Sequence, residues 1–201
     1  MTRLCFVRHG ETDWNQQARI QGATDIPLNH RGRAQASAVA EHLSGEEWEL
    51  EWDHIYSSPL SRAYDTAQAI AERVGLETIH TDRRLQERSF GEAEGIHVDV
   101  YHACYRDNPT PDIETWEEVR KRVVEAADEI VLNHPDSNIL VVAHGGLIAS
   151  FLNVVSGGEI GPGHPPLKNT CMNLFTYHEG RWRIEWYNRT TPELEAVSNQ
   201  N

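Results

Sequence analysis

The order of strand and helix patterns along the chain predicts an α/β fold, a three-layer α/β/α sandwich with a mostly parallel sheet. Residues 138–143 form a continuous apolar run, as expected of a central parallel strand buried on both faces. Amphipathic helix patterns cover residues 30–43 and about 114–133. In such sheets, ligands bind beyond the carboxyl ends of the strands, so the residues that follow each strand matter most.

The other elements follow the same alternation. The first strand is predicted at about 3–7 and ends at Arg8-His9-Gly10. Ser58-Pro59 predicts a helix start, with Ser58 as N-cap and Pro59 at the first helical position, and Gly75 predicts the helix end. The remaining predicted elements are strands at 55–57 and 76–80, a short helix around 98–106, a helix at 147–155, and a hairpin of 172–178 and 182–188.

The chain carries no internal repeat or linker, so residues 1–201 are predicted to form one domain. Residues 88–115 are mostly loop and predict a small cap insertion. The polar residues from about 190 to 201 predict a frayed tail. The C-terminal hairpin is expected either to cover a sheet edge or to form a contact in a homodimer.

Composition narrows the function classes. No apolar run approaches the roughly 18 residues of a membrane span, and no signal-peptide pattern opens the chain, so a cytoplasmic protein is expected. A net charge of −13 disfavours nucleic-acid and anionic-membrane partners. The three cysteines are odd in number and far apart, so we expect buried apolar thiols rather than disulfides at Cys5, Cys104 and Cys171.

Several polar residues are candidates for chemistry. His9 follows a strand, and the adjacent Arg8 can hold an anion through paired donors. Arg62 is predicted in the first turn of a helix, where a cation is unusual unless an anion binds there. Glu87 lies on a glycine-punctuated loop and His144 follows the central strand. Taken one at a time, each is also consistent with a structural histidine, a solvated arginine or a surface carboxylate.

Together these residues form a pattern that spans most of residues 3–150. The chain resembles the histidine phosphatase superfamily, also called phosphoglycerate mutase-like. The matching segments are Arg8-His9-Gly10-Glu11-Thr12-Asp13-Trp14-Asn15, Gln21-Gly22, Pro27-Leu28, Gly32, Gln35-Ala36, Ser57-Ser58-Pro59-Leu60-Ser61-Arg62-Ala63, Thr66-Ala67, Leu85, Glu87, Gly91, Glu94-Gly95 and Ala143-His144-Gly145.

The resemblance implies a function for each matching position. His9 is the implied nucleophile, and Glu87 is the implied proton donor to the leaving alcohol and then the base for water. The implied cradle of the phosphoryl oxygens is Arg8, Arg62 and His144. The further implied substrate-binding positions are Asn15, Gln21, Gly22 and Gly145. The implied reaction is hydrolysis of a small phosphorylated metabolite through a phosphohistidine, with no metal or other cofactor.

The family also contains cofactor-dependent phosphoglycerate mutases, which carry a longer, basic insertion after the catalytic Glu. Here residues 92–115 are short and acidic, and apart from two histidines Arg106 is their only basic residue. Mutases also typically have Thr at the position of Gln21 and a different residue at the position of Gly146. These departures favour a phosphatase and leave a bisphosphoglycerate-dependent mutase as the alternative.

Two other classes compete with a metal-independent enzyme. A non-catalytic module that binds a phosphorylated ligand would lack some catalytic positions, and none is missing here. A metal hydrolase would need ligand spacing that His97, His102 and Cys104 do not show. For the substrate, Arg19 and Arg106 are candidates to contact a second anionic group. The residues expected either to line the leaving-group pocket or to pack a cap are Tyr101, His102, Tyr105 and Trp116.

Overall fold

The structure is a computed structural model and describes residues 1–45, 48, 51–105, 110–162 and 166–191. Its strands are β1 (Thr2–Arg8), β2 (His54–Ser57), β3 (Ile79–Thr81), β4 (Asn138–Ala143), β5 (Met172–His178) and β6 (Arg181–Arg189). Its α-helices are α1 (Asp13–Gln16), α2 (His30–Leu43), α3 (Ser61–Val74), α4 (Val98–Cys104), α5 (Trp116–Asn133) and α6 (Gly145–Val155).

The strands form one six-stranded sheet in the order β3-β2-β4-β1-β5-β6. The first four in this order pair in parallel, whereas β5 runs antiparallel to β1 and β6 antiparallel to β5. The mostly parallel sheet confirms the predicted α/β class. The predicted hairpin is present and extends the sheet beyond β1.

Helices pack on both faces of the sheet, and β1 shows why. Its side chains alternate between the two faces, and each face buries apolar side chains against helices. Leu4 and Phe6 pack with residues of α5 and α6 in one core. Cys5 and Val7 point the other way and pack with residues of α2 and α3. This two-sided burial explains why residues 4–7 of β1 and 139–143 of β4 are all apolar.

Several predicted boundaries agree with the structure, and the start of α3 does not. Helix α2 and strand β4 have their predicted ranges. Helix α3 begins at Ser61, with Leu60 as an N-cap that makes no side-chain cap bond, so the prediction of Ser58 as N-cap and Pro59 at the first helical position was wrong. The Ser58 hydroxyl is instead hydrogen-bonded to His144, because the strand ends bring that ring within 2.8 Å. Strand β3 is shorter than the predicted 76–80.

The cap region has the predicted short helix, α4. Cys104 at its end is exposed, so the expectation of a buried thiol was wrong there, while Cys5 and Cys171 are buried as expected. Of the tail predicted to fray from about residue 190, Thr191 is buried. Residues 192–201, and Arg106 in the cap, lie outside the described residues.

Candidate active site

Three parallel strands deliver the predicted site residues to one edge of the sheet. Strand β1 ends at Arg8, with His9 next, and β4 ends at Ala143, with His144 next as the N-cap residue of α6. Because Arg8 pairs with Ala143 across the ladder, the two histidines leave the sheet side by side, with ring centroids 5.2 Å apart. Strand β2 leads to α3, which carries Arg62 in its first turn as predicted.

His9 is buried and oriented by the backbone. Its Nδ1 lies 2.6 Å from the carbonyl oxygen of Gly10. A carbonyl oxygen only accepts, so Nδ1 carries the ring hydrogen and Nε2 keeps its lone pair. Burial, followed by the positive charges of Arg62 and Arg8, holds the pKa of His9 well below its usual 6.5. The imidazole is therefore neutral at physiological pH, the form that a nucleophile needs.

The two arginines beside His9 are cations, of which Arg62 is buried and Arg8 is partly buried. The terminal nitrogens of Arg62 donate to the carbonyl oxygens of Gly22, at 2.7 Å, and Thr24, at 2.8 Å. Burial lowers the pKa of Arg62 to about 10, which leaves its guanidinium charged at neutral pH. Arg8 donates to the carbonyl oxygen of Leu167, and burial lowers its pKa as well.

Three buried nitrogen atoms at this site have no hydrogen-bond partner within the described part of the chain: Nε of Arg8, Nε of Arg62 and Nδ1 of His144. A buried donor without an acceptor costs about 1–3 kcal/mol, so folded proteins rarely retain one without a functional reason. Burial, followed by the charge of Arg62, lowers the pKa of His144, so this ring is also neutral. The arrangement suits an anionic ligand with several oxygen atoms.

Glu87 lies at the N-terminus of α6. Its Oε2 accepts the N–H of Gly146 at 2.9 Å, and its Oε1 accepts the N–H groups of Leu147 at 3.0 Å and Arg88 at 2.9 Å. The helix dipole favours a negative charge at this place. The Glu87 side chain also opposes the pKa lowering of both arginines, so it lies within their electrostatic reach. The site therefore combines two arginine cations, two neutral imidazoles and the carboxyl group of Glu87.

The loop after β1 packs around this centre. Asn15 closes a capping box with Thr12 at the start of α1, and the Thr12 hydroxyl also donates to Gln21 Oε1 at 2.9 Å. Gly22 has φ +57°, and a Cβ there would lie 2.1 Å from Glu94 Oε1, so glycine is required. The structure thus joins Asn15 and Gln21 through Thr12, and Gly22 contacts Arg62 through its carbonyl oxygen. The contact of these three residues with substrate stays a prediction.

A family model described as histidine phosphatase superfamily (branch 1) matches residues 4–190. The chain belongs to this superfamily. A protein named uncharacterized phosphatase PhoE from Bacillus subtilis is 39% identical, over 94% of this chain and 95% of its own length. A metal-independent phosphoserine phosphatase from Arabidopsis thaliana is 31% identical, over 92% and 80%. Proteins named as probable phosphoglycerate mutases also match.

Solved structures agree with this membership. A mycobacterial glucosyl-3-phosphoglycerate phosphatase, determined in complex with VO3, has a TM-score of 0.82 and 31% sequence identity. The superposition covers 94% of this chain and 99% of that one. The phosphoglycerate mutase-like fold expected from the sequence is thereby confirmed.

Two residues of this candidate site, Thr66 and Asn169, were missed by the sequence analysis. Asn169 donates to the carbonyl oxygen of His9 at 3.1 Å and to Asn15 Oδ1 at 3.4 Å, so it joins two parts of the site. Thr66 accepts the N–H of Gly10 at 3.1 Å. Thr66 lies in a segment that carries the resemblance, which was a usable signal. Asn169 lies outside those segments, and nothing in its local pattern marks it.

The aromatic residues of the cap are packing residues. Tyr101 is buried against Phe90, its ring is stacked with Tyr105, and its hydroxyl accepts from Arg88 at 3.2 Å. The Arg88 guanidinium lies 4.2 Å from the ring centroid of Trp116. These aromatic residues were expected either to line the leaving-group pocket or to pack the cap, and the structure favours cap packing. His102 is exposed and touches only the edge of this cluster, at 5.6 Å from Tyr101 between ring centroids.

Two further predictions concern positively charged and metal-binding groups. Arg19 donates to the carbonyl oxygen of Gly95 at 2.6 Å and to Gln17 Oε1, so its guanidinium ties the loop to the cap. His97 serves as N-cap of α4, and no group of three His, Cys, Asp or Glu side chains in the described ranges is arranged to hold a metal ion. Among the helices of the described residues, none has the length and apolar character of a membrane span.

Proposed function

We propose that this chain is a phosphomonoesterase that transfers the phosphoryl group of a small phosphorylated metabolite to His9 and then to water. One observation carries the proposal: a neutral, buried His9 with a free Nε2 lone pair lies beside three buried nitrogen atoms that have no hydrogen-bond partner among the described residues. Two of these nitrogen atoms belong to arginine cations. A phosphate ester is an anion that matches this set in charge and in number of oxygen atoms.

In the first half-reaction, Nε2 of His9 attacks phosphorus as the bond to the alcohol oxygen breaks. Negative charge spreads over three equatorial oxygens in the transition state. In this proposal Arg8, Arg62 and His144 donate to these oxygens, and the low exposure of the site to water makes the electrostatic stabilisation strong. The Nδ1–H of His9 keeps its bond to the Gly10 carbonyl throughout, so the positive charge formed on the ring is stabilised in place.

In this proposal Glu87 donates a proton in the first half-reaction and accepts one in the second. The negative charge of the bound phosphate ester favours the protonated carboxyl group of Glu87. In this form Glu87 gives its proton to the leaving alcohol oxygen, and as a carboxylate it then takes one from the attacking water. Water displaces the His9 nitrogen from phosphorus, phosphate leaves, and the neutral ring is restored. The hydrogen bonds from Gly146 and Leu147 hold the carboxylate at the edge of the site between the two steps.

The chemistry of the cap supports hydrolysis over mutase activity. A mutase must retain a bisphosphate whose second charged group needs cations of its own. In the cap sequence from residue 92 to 115, Arg106 is the only arginine and there is no lysine. Two of the relatives described above are named as phosphatases of phosphoserine and of glucosyl-3-phosphoglycerate, and these two compounds are the first substrates to test.

Phosphorus NMR tests the proposal directly. The enzyme is incubated with 3-phosphoglycerate, with and without catalytic 2,3-bisphosphoglycerate, beside a p-nitrophenyl phosphate control and the candidate monoesters. Accumulation of inorganic phosphate without the bisphosphate identifies water as the acceptor. Formation of 2-phosphoglycerate that depends on the bisphosphate would instead identify a mutase and overturn the proposal.

A further inference from the structure

Arg122 on helix α5 is a partly buried residue that binds several chain segments outside the phosphate site. Its guanidinium donates to the backbone carbonyl oxygens of Arg84 at 2.7 Å, Gln86 at 2.6 Å and Glu87 at 3.1 Å. It also forms a two-point ion pair with Glu114, at 2.6 and 2.9 Å. The whole fork of the guanidinium is thus engaged, and both partners of the pair have side chains that are only 19% exposed.

Glu114 extends this contact to the other side of Glu87. Its Oε2 accepts the N–H of Ser89 at 3.1 Å, and its carbonyl oxygen accepts Nε of Arg88 at 2.6 Å. Residues on both sides of Glu87 are therefore bound to the same ion pair. This part of the chain is otherwise a loop, apart from one 3-10 turn at Arg83–Leu85.

The position of Glu87 is consequently set from two directions. The N-terminus of α6 binds its carboxylate, and the pair of Arg122 and Glu114 binds its backbone and that of its neighbours. General acid catalysis needs the acid within hydrogen-bond reach of the leaving oxygen, and an error of about 1 Å in such a placement can cost about 100-fold in rate. A loop held only at its side chain would not keep that precision.

We infer that Arg122, together with Glu114, is a positioning residue that places Glu87 for proton transfer to the leaving group. The inference rests on the proposed function, in which Glu87 is the acid. Arg122 itself does not touch the substrate. An ion pair that serves only stability would lower activity on all substrates alike, so the dependence on the leaving group separates the two explanations.

The test compares kcat/KM for p-nitrophenyl phosphate, whose leaving group departs without a proton, with kcat/KM for an alkyl phosphate, which needs one. Since kcat/KM covers the steps up to alcohol release, the later function of Glu87 as base does not enter. The variants are Arg122→Lys, which keeps the charge and loses the fork, and Glu114→Gln, which leaves Arg122 in place. Lys121→Gln, an exposed neighbour on the same helix, is the matched control.

We expect Arg122→Lys and Glu114→Gln to lower kcat/KM for the alkyl ester about tenfold or more and for p-nitrophenyl phosphate less than about threefold. Lys121→Gln should change neither. In a Glu87→Gln background, Arg122→Lys should cause little further loss on the alkyl ester, because the two changes affect one proton transfer. Circular dichroism and thermal unfolding confirm that each variant is folded.

Three results would overturn the inference: equal losses on both esters, no loss on either, or a full additional loss in the Glu87→Gln background. Failure of the proposed function looks different. In that case Glu87→Gln by itself lowers kcat/KM for the two esters equally, whatever the Arg122 variants do.

Discussion

Replacing Gly146 with alanine tests the proposed proton transfer by Glu87 separately from the stability of the fold. A Cβ at position 146 would lie 2.6 Å from Oε1 of Glu87, 3.2 Å from its Cδ and 3.4 Å from its Oε2. Carbon and oxygen atoms do not approach to 2.6 Å without a bond, so something must move. The carboxylate is the end of a flexible side chain and moves more easily than the helix.

The size of the effect follows from this geometry. Restoring ordinary contact requires Oε1 to shift by about 0.8 Å, and the hydrogen bonds from Gly146 and Leu147 lengthen as it does. A displacement near 1 Å is expected to lower kcat/KM for an alkyl phosphate about 10- to 100-fold. Stability should change little, because alanine in a helix gains about 0.5–1 kcal/mol over glycine while the Glu87 contact weakens.

The assay measures kcat/KM for an alkyl phosphate and for p-nitrophenyl phosphate, beside the urea midpoint of the same preparation. We expect a selective loss on the alkyl ester with an unfolding midpoint close to that of the wild type. A Gly146→Ala enzyme with unchanged kcat/KM for both esters would refute the placement of Glu87 at the start of α6. A loss accompanied by a large drop in the midpoint would refute the separation of function from stability.

The remaining predictions concern histidines and thiols. His9→Ala should abolish turnover, and activity above about a hundredth of wild type, measured as phosphate release, would reject its function as nucleophile. Burial lowers the pKa values of His9 and His144 below those in the unfolded chain, so the unfolded state binds more protons at acidic pH. The free energy of unfolding should therefore decrease as the pH falls below about 6.5. Urea midpoints should decrease from pH 7.5 to 5.5, and equal midpoints would contradict this. A thiol reagent should modify the exposed Cys104 rapidly in the native protein, and Cys5 and Cys171 only after unfolding. Burial raises the pKa of Cys5 to about 12 and that of Cys171 to about 11, so neither forms the reactive thiolate readily. Rapid modification of all three thiols in the native protein would exclude this.

Local patterns determined the elements of this fold. The apolar run of β4 identifies a strand because burial on both faces requires consecutive apolar residues. The amphipathic stripe of α5 identifies a helix because burial on one face repeats apolar residues at the helical period. The residues that follow β1 and β4 could also be identified as candidate site residues, since the carboxyl ends of parallel strands meet at one edge. The position of Arg62 in the first turn of α3 was also predictable, because the helix start has a local sequence pattern just before this residue.

Contacts between distant segments were decided only by the tertiary structure. Ser58 has the local pattern of an N-cap, yet its hydroxyl binds His144, 86 residues away. Asn169 reaches the backbone of His9 across 160 residues, and Arg122 reaches Glu87 across 35. A hydrogen bond depends on tenths of an ångström between atoms on separate elements. That distance is set by how the elements pack, and no periodicity within either segment encodes it.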